Sequence, residues 1–167
     1  QVSGTVANVT MNKTEYNDID VNRPGHGIYI RNPWYIEFNN VRSNDNEGAG
    51  IMVHGLMRSQ AGALEDHLYD FMVLNSEFSG NQRGGFWSQI PHDSQREYRP
   101  KILIQGSQFN ENNMFGIYST ISSVNLTNVN IGETFPASVE FTCPDPDDEE
   151  GVTSEGGCLA PLNEWYF

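Results

Sequence analysis

One five-residue pattern, Asn-x-x-x-Gly followed by apolar residues, recurs along this chain and constrains its fold more than any other feature. It occurs at Asn46–Gly50, Asn81–Gly85 and Asn112–Gly116, and its glycine part occurs once more at Gly27. A pattern that returns every roughly 20 to 50 residues is typical of repeat architectures, in which each copy forms one similar unit. Functional residues should therefore be sought among equivalent positions of successive repeats.

The residues around the pattern repeat as well. An alternating apolar strand begins ten residues before each Asn, and a turn residue follows each strand. The strands are Ile36–Phe38, Phe71–Val73, Ile102–Ile104 and Val124–Leu126, with an earlier partial copy at Val6–Val9, and the turn residues are Asn40, Asn75, Gly106 and Asn128. Asn and Gly tolerate a left-handed backbone, so one sharp bend per repeat is expected there. A second bend is expected at the glycine of the pattern, where a side chain would clash.

Between the two bends lies a second short segment, which ends in Phe78, Phe109 or Ile131. Three short strands per repeat, bent at Asn and Gly, resemble the right-handed parallel β-helix of the pectate-lyase-like superfamily. The Asn of the pattern resembles the ladder of stacked Asn side chains in those proteins. This resemblance covers residues 1–135 and implies an all-β solenoid of about five short coils, stacked at about 4.8 Å. Sandwiches and jelly rolls also combine short strands with such turns, but they do not require one residue type at one slot.

The spacing of the repeats predicts two inserts. Gly27 and Gly50 are 23 positions apart, whereas the next two intervals are 35 and 31 positions. In both longer intervals the additional residues come just after the strand that follows the glycine, near residues 55–66 and 89–100. Loops of this length on a solenoid commonly form one wall of a binding face. Neutral drift in loop length remains the alternative, because longer loops cost little free energy.

Beside the inserts, the pattern predicts an outward-facing column of large side chains. Its members are Tyr29, Met52, Trp87 and Tyr118. Such a column can form a platform for sugar rings or for another protein. Alternatively, the inserts fold back and cover it as a second core. Polar residues on or near the inserts would border either arrangement: His54, Arg58, His92, Asp93, Arg96 and Arg99.

No catalytic set can be assigned from the sequence. Gly25–Ile30 is similar to the Gly-His-Gly segment of polygalacturonases, and Asn17–Val21 faintly resembles their first acidic motif. Their paired Asp residues and their Arg-x-Lys motif are not recognisable here. The carboxylates at Asp45 and Glu47 do not continue as the stacked calcium-binding column of a pectate lyase. The sequence therefore predicts a non-catalytic recognition or scaffold module of the adhesion type, with a polysaccharide lyase or glycoside hydrolase as the alternative.

The charge of the chain limits its partners. Lys and Arg number 9 against 22 Asp and Glu, which gives a net charge of −13. Such a surface repels nucleic acid and acidic lipid headgroups, so a neutral glycan or an extracellular protein is the expected partner. No apolar stretch approaches the roughly 20 residues of a membrane span. Because an open solenoid end exposes strand edges, further coils of a longer chain are expected upstream.

Residues 136–167 follow the last repeat and are expected to form a C-terminal cap. Cys143 and Cys158 enclose 14 residues, and the simplest interpretation is a disulfide formed in an oxidising compartment, which stabilises the fold by roughly 3 kcal/mol. The acidic loop between them either holds Ca²⁺ or is solvated, and no other cofactor is expected. Its candidate calcium ligands are Asp145, Asp147 and Asp148. Sequons at Asn8, Asn12 and Asn125 permit N-glycosylation, in agreement with an extracellular or cell-surface location.

Overall fold

The described part of the chain consists of strands and turns. The computed structural model describes residues 2–13, 25–55, 68–90, 100–120, 122–134, 138–142 and 158–160. Its strands are β1 (Val2–Ala7), β2 (Ile28–Arg31), β3 (Pro33–Asn39), β4 (Ile51–His54), β5 (Phe71–Leu74), β6 (Gly84–Gln89), β7 (Lys101–Gln105), β8 (Phe115–Ser119), β9 (Ser123–Thr127), β10 (Asn130–Ile131), β11 (Glu133–Thr134), β12 (Ser138–Thr142) and β13 (Cys158–Ala160). These residues contain no helix, as the all-β prediction requires.

Eleven of the thirteen strands form two mainly parallel sheets, to each of which successive repeats add one strand, and β10 and β11 form a separate antiparallel pair. The first sheet has the order β1-β3-β5-β7-β9-β12 and the second has the order β13-β8-β6-β4-β2. All pairs within these two sheets are parallel except β9 with β12 and β8 with β13, which are antiparallel. A third line of isolated parallel bridges joins Thr10, Arg42, Glu77, Gln108 and Asn130. The predicted parallel pairing of equivalent strands is confirmed, although the middle segment of each repeat contributes only a single parallel bridge, whose residue belongs to β10 in the last repeat.

The core lies between the sheets and stacks like residues on like. Ile36, Phe71, Ile102 and Val124 are partners in register, and so are Phe38, Val73, Ile104 and Leu126. All eight are at most 2% exposed. The rings of Phe78 and Phe109 stack with centroids 5.4 Å apart. Each parallel pair therefore buries the apolar face of one repeat against the next, which is the main source of stability for short strands.

The predicted left-handed turns are present. Asn40, Asn75, Gly106 and Asn128 have φ angles of 53°, 49°, 59° and 52°, and Asn8 joins them at 57°. The glycine of the repeated pattern serves a different purpose, because it makes room for neighbouring backbone. A Cβ on Gly50 would lie 2.8 Å from the carbonyl oxygen of Ser43 and 2.9 Å from that of Gly85. Gly85 and Gly116 lie within β6 and β8, so the second bend predicted at this glycine is not found at those two copies.

The Asn residues of the pattern form a buried ladder. The Oδ1 atom of Asn81 accepts hydrogen bonds from the backbone N–H and from the Nδ2 atom of Asn46, at 3.1 and 2.8 Å. Asn112 Oδ1 accepts the equivalent pair from Asn81, both at 3.0 Å. All three side chains are at most 1% exposed. The ladder satisfies polar groups that a buried corner would otherwise leave without partners.

The boundaries of the inserts and the cap are described only in part. Residues 56–67 and 91–99 lie outside the described residues, and so do Cys143 and the acidic loop that follows it. The predicted disulfide and calcium ligands therefore stay predictions. The second insert begins later than expected, because Gln89 still belongs to β6 and Ile90 is only 3% exposed. Ile90 is held there by Thr120, whose hydroxyl accepts the Ile90 N–H at 2.8 Å.

Candidate functional site

The second sheet aligns the four large residues that the repeat pattern selects. Tyr29 pairs with Met52, Met52 with Trp87, and Trp87 with Tyr118. Their exposure differs along the line: Tyr29 is 55% exposed and Trp87 is partly buried, whereas Met52 and Tyr118 are 5% and 8% exposed. One end of the column is therefore exposed and two of its members are buried, whereas most of the inserts that could cover it lie outside the described residues.

Two residues outside this column complete a continuous group of rings, called here the ring cluster: His26, Tyr29, Trp87, Phe115 and Tyr118. His26 stacks on Tyr29 with centroids 6.1 Å apart and meets Trp87 edge-on at 6.1 Å. Phe115 meets Trp87 edge-on at 5.9 Å and lies 5.6 Å from Tyr118. Tilted and edge-to-face contacts at these distances are favourable for aromatic pairs. The cluster crosses four neighbouring strands or their flanking turns.

A glycine makes the Phe115 contact feasible. Gly84 pairs with Phe115 in the register of β6 and β8. A Cβ placed on Gly84 would enter the ring of Phe115. The ring can therefore lie back across the sheet towards Trp87 only because Gly84 has no side chain.

Arg83 supplies a positive charge to the cluster. Its guanidinium carbon lies 5.8 Å from the centroid of the Trp87 ring, within the range of a cation–π contact. Burial, followed by the charge of Arg83, lowers the pKa of His26 to about 4. The imidazole is therefore neutral at neutral pH, and its Nδ1 atom accepts the backbone N–H of Ala49 at 2.9 Å. This bond gives His26 a structural role.

Among the described residues, two buried side-chain nitrogens have no hydrogen-bond partner. They are Nε1 of Trp87 and Nδ1 of His54. His54 ends β4, where it pairs in register with Arg31 and Gln89. Buried polar groups normally have partners, so these two mark places where a bound water or ligand hydroxyl would be favourable.

The remaining candidate residues are the polar residues on the inserts and the acidic residues of the C-terminal loop. Arg58, His92, Asp93, Arg96 and Arg99 lie outside the described residues, as do Asp145, Asp147 and Asp148. Within the described ranges, no group of three His, Cys, Asp or Glu side chains could hold a metal ion.

The three sequons differ in their surroundings. Asn8 and Asn12 are exposed, whereas Asn125 is partly buried on β9 between β7 and β12. The Oδ1 atom of Asn8 accepts a bond from Asn40 Nδ2 at 2.7 Å. A surface cavity of about 280 Å³ lies at this position, lined by Asn8, Thr10, Asn40 and Arg42. It belongs to the turn after β1 and β3 rather than to the sheet that carries the ring cluster.

His26, Arg83 and Phe115 were not selected as ligand-binding residues by the repeat pattern. His26 lies two positions before β2 and Phe115 is the first residue of β8, so both are outside the column that contains Trp87. The small residue at Gly84 was the available signal, because a gap in one repeat lets a large neighbour lean across it.

Similarity searches add no family to this description. No protein-family model matches the chain, and no curated protein or solved structure is significantly similar to it. Among the described residues, no helix is long and apolar enough to cross a bilayer. The chemistry of the ring cluster is accordingly the basis on which a function is proposed.

Proposed function

We propose that the chain is a right-handed parallel β-helix of about five short coils that acts as a non-catalytic, extracellular recognition module. The support for the architecture is the parallel register of equivalent strands in both sheets, together with the third line of bridges. The left-handed turns and the buried Asn ladder support it further, because each recurs once per repeat.

The observation that carries the recognition role is the ring cluster. Tyr29 presents an exposed ring at one end, and Trp87 presents a partly buried ring whose Nε1 has no hydrogen-bond partner among the described residues. Sugars have apolar C–H faces and polar hydroxyl edges. They therefore combine stacking on aromatic rings with hydrogen bonds to groups such as Trp87 Nε1 and His54 Nδ1.

Charge favours a neutral glycan as the ligand over a polyanion. The net charge of −13 repels acidic polysaccharides at long range. Arg83 lies beside the ring cluster, but its guanidinium already contacts the Trp87 ring. A polysaccharide lyase or glycoside hydrolase is the alternative function, and a direct assay of turnover distinguishes the two.

The test is a screen of the intact chain against neutral oligosaccharides, with binding and product release measured on the same samples. We expect binding without product release. Tyr29→Ala and Trp87→Ala should each weaken binding at least about tenfold, which corresponds to about 1.4 kcal/mol. Met11→Ala is the matched control, because Met11 is 41% exposed but is not part of the ring cluster.

Two outcomes would contradict the proposal. Release of shortened products, lost when one acidic or basic residue is replaced, would establish the enzymatic alternative. Unchanged glycan binding in both ring variants would remove the cluster from the site. The extracellular part of the proposal has its own test, since intact-mass measurement without reductant should find Cys143 and Cys158 joined.

A further inference from the structure

The first repeat leaves an edge of both sheets without a neighbouring strand in the described structure. β1 is the outer strand of the first sheet, β2 is the outer strand of the second, and Thr10 begins the line of bridges. Apolar residues at this end are only partly buried: Val6, Val9, Ile28 and Ile30. Their equivalents one repeat later are 0% exposed: Phe38, Val41, Ile51 and Val53. This difference in exposure shows how much burial a neighbouring repeat provides to these side chains.

The backbone at Thr10 is directed towards this open edge. The N–H of Met11 donates to the carbonyl of Arg42 at 2.8 Å, and the N–H of Arg42 donates to the carbonyl of Val9 at 2.8 Å. Because bonding groups alternate along an extended chain, the N–H and C=O of Thr10 point away from Arg42. None of the described residues accepts the Thr10 N–H. It is available to a strand on the other side.

A second ladder, called here the outer ladder, shows which chemistry such a strand needs. In it a side-chain oxygen of each repeat accepts a backbone N–H of the next. The bonds are Asn44 N–H to Asn12 Oδ1 at 3.0 Å, Ser79 N–H to Asn44 Oδ1 at 2.9 Å, Asn110 N–H to Ser79 Oγ at 3.1 Å, and Gly132 N–H to Asn110 Oδ1 at 3.0 Å. The ladder therefore has a direction, and its first N–H, that of Asn12, has no acceptor among the described residues.

We propose that this end binds one further coil of the same repeat: an extended segment parallel to β1 that places an Asn or Ser side chain over Asn12. Its apolar residues would cover Val6 and Val9, and its Asn or Ser oxygen would accept the Asn12 N–H. A second copy of this chain stacked head to tail does not fit as the occupant. Its opposite end closes with antiparallel β12 and β13, and its outer ladder ends at Gly132, which has no side-chain oxygen. This edge site is separate from the ring cluster and does not depend on the glycan-binding role.

The test uses the intact chain and a synthetic peptide of residues 33–45, which copies β3 and carries Asn44. Amide NMR shifts should change within residues 4–13 and 28–31. Hydrogen exchange at the Thr10 and Asn12 amides should slow about tenfold when nine-tenths of the sites are occupied. A peptide with Asn44→Leu should bind more weakly, because it keeps the strand and loses the acceptor.

Variants of the chain locate the site. Thr10→Pro removes the outward N–H and should abolish peptide binding, whereas Thr10→Val keeps that N–H and should bind normally. Trp87→Ala should bind the peptide unchanged, which separates this inference from the ring cluster. The inference is wrong if the Asn44→Leu peptide binds as well as the original, or if exchange at Thr10 and Asn12 does not slow. It is also wrong if the chain alone sediments as a dimer that Thr10→Pro dissociates, because the occupant would then be a second copy.

Discussion

The Nδ1 atom of His26 accepts a hydrogen bond from the backbone N–H of Ala49 at 2.9 Å, and this bond joins the first repeat to the second. Only an unprotonated nitrogen can accept such a bond. The fit around it is close, since a Cβ on Gly48 would lie 2.6 Å from the same Nδ1 atom. The charge state of His26 is therefore linked to the contact between two repeats.

We expect the stability of the fold to fall on acidification through this group. The pKa of His26 is lowered from 6.5 to about 4 in the folded chain, so the unfolded chain binds more protons between these values. Stability therefore rises with pH across this window: the contribution is complete above pH 6.5 and is lost as pH falls to about 4. After allowance for solvent screening of a partly exposed ring, its size is about 1 to 2 kcal/mol.

Because carboxylates titrate in the same range, the measurement is a difference between two proteins. His26→Asn keeps an acceptor near the position of Nδ1 and does not titrate. Urea unfolding at several pH values should show a steeper loss of stability for the wild type than for this variant between pH 6.5 and 4. Parallel curves would mean that His26 does not lose its bond on protonation.

The buried Asn ladder should be far more sensitive to substitution than the neighbouring exposed Asn. Asn81→Ala removes the acceptor for two donors of Asn46 and the donor to Asn112 Oδ1, all in buried surroundings. Leaving these groups unsatisfied should lower the free energy of unfolding by about 3 kcal/mol or more. Asn113→Ala is the control, because Asn113 is exposed and only its backbone N–H bonds to Asn81. Similar denaturation midpoints for the two variants would contradict this account.

The repeat pattern predicts which positions of successive repeats lie opposite one another. Equivalent positions such as Phe71 and Ile102 are held opposite one another by parallel pairing, so spacing alone selects the strands, the turns and the column of Trp87. Spacing does not determine side-chain direction. His26 and Phe115 reach Trp87 from other columns, and this depends on a neighbouring slot being small, as at Gly84.

The repeat pattern also does not predict how exposed each side chain of the column is. Tyr118 is buried in a sheet whose last strand, β13, places Leu159 opposite it. That strand is antiparallel, does not carry the repeated pattern, and comes from the end of the chain. Pairing between segments so far apart in sequence is set by the whole fold, so no periodic signal predicts which end of the column stays open at Tyr29.

Substitutions at the left-handed turn should separate backbone strain from side-chain loss. Asn75 has a φ of 49°, and the next repeat has Gly106 at the same slot with a φ of 59°. Asn75→Gly should therefore change stability little, whereas Asn75→Val should cost about 1 to 2 kcal/mol because a β-branched residue is strained in this region. Thermal unfolding of the two variants measures the difference. Equal stabilities would show that the turn can relax to another conformation.

The absence of a side chain at Gly84 should determine how the rings of the cluster pack, without changing the packing of the main core. In Gly84→Ala the new methyl group occupies the position of the Phe115 ring, which must turn away from Trp87. Overpacking of this kind typically costs about 1 to 3 kcal/mol. Replacing Phe115 by Leu in the same chain should restore part of that loss, because the smaller side chain frees the space. Trp87 fluorescence should shift in Gly84→Ala, since its edge contact with Phe115 is lost. If the destabilisation by Phe115→Leu simply adds to that by Gly84→Ala, the two residues are not coupled. The missing side chain at Gly84 would then not be what positions Phe115 against Trp87.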